Sequence, residues 1–184
     1  MRALGVLMGG MLLVVPLSAA AAWPAPGGLP APVAVQRFPA EETHALRSPY
    51  RGVVVPYTAE LRVRGSGSGR RVWLLVQSTE DGAALFDCTT CEITLAADDA
   101  EPLGYPSCRA EPYAEGALKF DDARAVLEQL RSATVVRVTV PLAVAGDTPG
   151  VLQGVVRTFT FRTAGLSNDG PGSRGTCDRD FHDE

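Results

Sequence analysis

The side chains that could do chemistry fall into a few groups. Cys88 and Cys91 form a C-x-x-C inside LFDCTTCEITLAADD, with Cys108 and Cys177 further along. Asp98 and Asp99 close that stretch as adjacent carboxylates. His44 stands beside Glu41 and Glu42, and the chain ends with Asp178, Asp180, His182, Asp183 and Glu184. A C-x-x-C can be a redox centre, half of a zinc site or a staple. Redox catalysis wants the first thiol at a helix N-terminus, where its pKa falls. Here Cys91 opens CEITLAAD, an alternating strand pattern, and Asp87 and Glu92 bring negative charge that raises thiol pKa values. Zinc wants a second pair at knuckle spacing; Cys108 is isolated and Cys177 lies in a glycine-rich tail. The staple fits best. Cys88 and Cys91 flank Thr89-Thr90, and a tight turn brings such flanking Cα atoms to about 5.5 Å, within disulfide range. Cys108 then pairs with Cys177, although spacing alone leaves the two other connectivities open.

The remaining groups point away from catalysis. Asp98 and Asp99 form a candidate binding turn, but neighbours at a strand end face opposite ways, so a solvated turn is the plainer expectation. Both histidines, His44 and His182, fall in expected flexible ends where nothing would hold them in geometry. The acidic C-terminal run reads as a solvated end, since a cation site needs rigid backbone. No metal, cofactor or catalytic residue is expected.

The elements that must position these residues begin behind a leader. Arg2, an apolar run from Leu4 to Leu17 and Ala20-Ala21-Ala22 have the form of a cleaved secretory signal over residues 1–22. Gly9, Gly10 and Pro16 interrupt that run, which is shorter than the roughly 20 residues needed to cross a bilayer. Cleavage leaves no transmembrane segment and places the chain in the periplasm or outside the cell, where cysteines oxidise. Abundant arginine with Lys119 as the single lysine fits a GC-rich bacterial genome, an association rather than a physical inference. Losing Arg2 takes the formal charge from −4 to −5. That acidic balance makes the chain a poor candidate for binding nucleic acid or anionic membranes, and no nucleic-acid partner is expected.

Residues 23–52 read as a proline-rich flexible arm, with His44 on its surface. The β-rich domain spans 53–166. YTAELRVR alternates as a half-exposed strand, GSGSG is a flexible hairpin loop, and RRVWLLVQST is apolar on both faces, as in a central strand. Cys91, Ile93 and Leu95 share one face. Residues 98–116 read as loop, followed by the short strand GALKF and one helix, DDARAVLEQLRSA. Asp121 is the expected N-cap, Asp122 the first-turn acid, and Ala123, Val126, Leu127 and Leu130 the apolar stripe. TVVRVTVPL and GVVRTFTFRTAGL are the last strands, joined by a long hairpin loop, with Val136, Val138, Val140, Phe159 and Phe161 facing inward. Residues 167–184 form a flexible acidic tail unless Cys177 pins it. The fold class is mainly β, an antiparallel sandwich or curved sheet with one packed helix.

The order Cys91-Glu-Ile93-Thr-Leu95-Ala-Ala-Asp98-Asp99, a helix with Leu127, Leu130 and Ala133, Val136-Arg-Val138-Thr-Val140-Pro141 and Phe159-Thr-Phe161-Arg-Thr-Ala164-Gly165-Leu166 carries a resemblance. It resembles the C-terminal domain of periplasmic accessory proteins of type VI secretion and related uncharacterised exported domains. More faintly, it is similar to invasion-associated locus B proteins. Ala97 stands where those families have an aromatic, Ala100 where they have glycine, and Cys108 and Cys177 are additional. The resemblance implies a non-enzymatic envelope protein whose partner is a protein or another envelope component. The competing expectation is a carboxylate-dependent hydrolase of envelope polymer, using Asp98 or Asp99.

Overall fold

The structure, a computed structural model, describes residues 35–88, 90–109, 116–168, 170–174 and 177. The leader, the first part of the arm, and the C-terminal carboxylates with His182 lie outside the described residues. The first strands arise where flexible arm was expected. β1 (Val35–Pro39) and β2 (His44–Arg47) lie end to end along β3 (Val54–Arg64). Phe38 and Leu46 explain this: each is buried in the core, so the two segments are held although prolines surround them. The sheet therefore begins at Val35, not Val53.

β3 pairs with β4 (Arg71–Ser78), which carries the two-residue β5 (Gly82–Ala83) at its end. β6 (Leu85–Phe86) pairs with β10 (Val135–Ala145), and β7 (Thr90–Ala97) lies beside it on the same strand. Then come β8 (Leu103–Arg109), in the expected loop, β9 (Ala117–Phe120) and β11 (Leu152–Arg162). The antiparallel order is β1-β3-β4-β9-β8-β7-β10-β11. β10 and β11 extend into the hairpin loop expected between them, shortening it to residues 146–151.

This is one curled sheet, a half-barrel, and not a sandwich. Its two ends are tied: Ala40 bridges Phe161, and Glu41 N donates to Thr160 O at 2.9 Å. Curling lets the concave face bury itself. Leu61, Leu74, Ile93, Val138, Phe159 and Phe161 all point into it with no exposed surface. Each such side chain contributes about 1.5–3 kcal/mol on burial. β4 is central but not doubly buried; Val72, Leu74 and Val76 face the core while Trp73 and Leu75 stay half-exposed outside.

Helix α1 (Ala123–Ser132) covers the concave side with the expected stripe of Ala123, Val126, Leu127 and Leu130. The cap differs by one residue: Asp122 Oδ1 accepts from Ala125 N at 3.0 Å. Asp121 is left to accept from Cys177 N at 2.8 Å. Arg124 and Glu128 form the outer i,i+4 pair at 3.1 Å. Among the described residues, no helix is long and apolar enough to cross a membrane.

Candidate functional site

The four cysteines meet at one corner of the sheet. Cys88 bonds Cys91 and Cys108 bonds Cys177, with Cα separations of 5.5 and 5.8 Å. In the β7–β8 ladder Thr90 lies opposite Cys108 and Cys91 opposite Ser107. Neighbours on a strand face opposite ways, so the two bridges lie on opposite faces of the same corner. Cys91 faces the core, where Ser107 Oγ donates to its carbonyl at 2.8 Å. Cys108 faces out, beside the buried Lys119, and draws Cys177 over it. Both bridges occupy structural positions, and no described cysteine is free.

In the Asp98-Asp99 turn, the Asp98 carboxylate is engaged by backbone donors. Asp98 takes a left-handed backbone (φ 46°), which a short polar residue tolerates better than most. Its Oδ1 accepts from Thr134 N at 3.1 Å and Val135 N at 2.9 Å. The carboxylate thus satisfies backbone donors where the chain leaves α1 for β10. Arg137 adds a bond to the Asp98 carbonyl. Asp99 is exposed beside it.

His44 and Glu42 act at the seam between sheet ends, not in a flexible arm. His44 Nε2 lies 2.8 Å from Thr158 O and its ring stacks edge-on against Phe159. Thr160 N donates to Glu42 Oε2 at 2.7 Å. Burial acts to raise the Glu42 carboxyl, but the Thr160 bonds outweigh it and hold the group below its ordinary value.

Two clusters had no sequence signal. In the first, Asp81, with a side chain only 3% exposed, takes Arg51 Nε at 3.1 Å. Tyr57 OH donates to its other oxygen at 2.8 Å. The Ser48 hydroxyl first, then Tyr57 and Arg51, hold Asp81 below its usual range against burial. Burial foremost, then the carboxylate, push the Tyr57 phenol up. Ser48 Oγ also accepts from Tyr50 N and Arg51 N, so the knot clamps residues 48–53 onto the β4–β5 turn. Its carboxylate is engaged by Ser48, Tyr57 and Arg51, an arrangement that suits a clamp.

The second cluster is Arg70, only 1% exposed. Its guanidinium donates to Ser167 O at 2.8 Å and Gln36 Oε1 at 3.0 Å. The beginning of the sheet, the GSGSG turn and the expected tail therefore converge on one cation. Residues 167–168 and 170–174 run as a strap rather than a free tail. Gly172 N donates to Gly67 O at 3.2 Å, Ser173 N to Arg70 O at 2.9 Å, and Arg124 N to Ser173 O at 3.3 Å. Gly170, at φ 111°, packs so close to Gly67 that a side chain there would strike its backbone. Neither cluster shows periodicity, the one signal a single sequence offers for pairing.

Among the described residues, no three histidine, cysteine or acidic side chains converge on a metal position. Fold and cysteines together define a disulfide-stapled, mainly antiparallel β domain with one covering helix. Comparison with protein-family models, curated proteins and solved structures found no match.

Proposed function

We propose that this chain is an exported, non-enzymatic protein of the bacterial envelope that works by binding. The supporting observation is where its acid–base groups go. Asp98, Asp81, Glu42 and His44 are each spent on holding backbone or loops in place. Two disulfides suit an oxidising compartment, and the leader-like N-terminus supplies the route there. The resemblance to periplasmic accessory domains supports a protein or other envelope component as the partner, with a secretion assembly as one candidate source.

Expression with its own leader in a bacterial host, followed by cross-linking in the intact periplasm, tests this. A cleaved N-terminus at Trp23 and a discrete cross-linked partner are the expected results. An intact leader would remove the exported reading. Turnover of peptidoglycan or envelope polysaccharide, lost in Asp98→Asn or Asp99→Asn with the fold retained, would replace the binding reading with the hydrolase.

A further inference from the structure

We infer that the free edge of β11 between Leu152 and Arg157 is a docking strip for an extended peptide segment of a partner protein. That segment carries a basic side chain between two apolar ones. This deepens the binding role above and rests on it. β11 ends the strand order, and part of its outer edge is already used. Glu41 N bonds Thr160 O, Thr160 N bonds Glu42, and His44 bonds Thr158 O. Even-numbered residues therefore turn their backbone groups away from β10. The same alternation directs Val156, Gly154 and Leu152 outward. β10 pairs with their inner side; among the described residues no strand pairs with their outer side, and all three are exposed. The Val156 carbonyl is met by the chain's own Arg157 Nη1 at 2.8 Å, a side chain that can swing aside.

The side chains of these residues share the outer face. Leu152 is 51% and Val156 63% exposed. Between them Gly154 leaves a notch, and the Asp87 carboxylate fills it where a Cβ would stand. Asp87 is itself exposed. The strip thus reads apolar, acidic, apolar at the two-residue spacing of a strand. A strand added to this edge would place its own residues at i, i+2 and i+4 on the same face. A lysine or arginine in the middle meets Asp87, and apolar neighbours cover Leu152 and Val156. A second copy paired about Gly154 would instead bring two Asp87 carboxylates together. That like-charge contact opposes self-pairing, the usual hazard of a bare edge.

Two seven-residue peptides test this on the full chain. One is alternating threonine–valine–threonine–arginine–threonine–valine–threonine; the other has glutamate for arginine. Backbone amide NMR should show shifts confined to residues 152–157 and Asp87 on adding the arginine peptide. The glutamate peptide should bind about fivefold more weakly, the scale of an exposed charge contact. Asp87→Asn should erase that preference. Val156→Pro should abolish binding of both while leaving the melting temperature unchanged, because the lost N–H faces outward. Equal binding of both peptides, shifts elsewhere, or no binding at millimolar peptide would overturn the strip. So would self-association that Val156→Pro removes, which would assign the edge to a second copy. A partner cross-linked at another surface would overturn the strip alone and leave the binding role standing.

Discussion

Single residues in this molecule spend their polarity on the backbone, and Asp98 shows it most directly. Replacing it with alanine removes the acceptor for Thr134 N and Val135 N. The cost should be about 1–3 kcal/mol in urea denaturation. The Asp98→Asn variant keeps an acceptor, and asparagine tolerates the left-handed backbone, so it should lose less. A hydrolase would instead lose its activity in both variants, whatever their stability. Acid dependence follows from Glu42 and Asp81, whose ordinary values are 4.5 and 3.8 and whose native values lie lower. A depressed carboxyl stabilises the fold above its unfolded pKa, and that contribution is lost as pH falls through the native one. Tyr57 works in the opposite sense: raised from 10.0, it should withdraw stability as pH climbs beyond that value. Melting temperature should therefore hold level at neutral pH, fall below about pH 4.5 and fall again above about pH 10. A melting temperature that rises on acidification would contradict this arrangement of partners.

Elements were legible wherever a period could be read. The α1 stripe and the inward valines of β10 are buried where alternation and helical spacing predict. Leu130→Ala should cost about 2–5 kcal/mol, since the site is fully enclosed. A loss within about half a kcal/mol would mean that the helix does not cover the sheet. Where composition spoke louder than pattern, the reading failed. β1 and β2 are short and ringed by prolines, yet Phe38 and Leu46 are enough to seat them. β8 contains Pro106 and Gly104, residues that normally break strands. Its alternation is masked because Glu92 fills the space over Gly104 where a side chain would be. The Asp81 and Arg70 clusters were invisible for another reason: they join residues far apart in the chain by polar contacts alone.

At the scale of the whole molecule, the disulfides and the strap decide how tightly the chain is closed. All four thiols should resist labelling until the protein is both denatured and reduced. Two reactive thiols in the native state would reopen redox and zinc chemistry. Removing Cys108–Cys177 by paired serine substitutions should cost more than removing Cys88–Cys91, because the sequence separations are 69 and 3. Chain entropy sets the larger figure at about 4 kcal/mol, measured by urea denaturation of each double variant. The seam between Ala40 and Phe161 adds a constraint of timing. A ribosome delivers β3 and β4 early, with Leu61, Leu74 and Val76 bared, and the strand that completes the curl comes late. Gln36 and Arg70 likewise wait for Ser167. A half-made chain therefore has no stable stopping point, and a version ending at Gly150 should be captured by holdase chaperones or degraded. Wherever the chain folds, closure should wait for β11, and yield should depend on how long the first half can be kept from sticking to its neighbours.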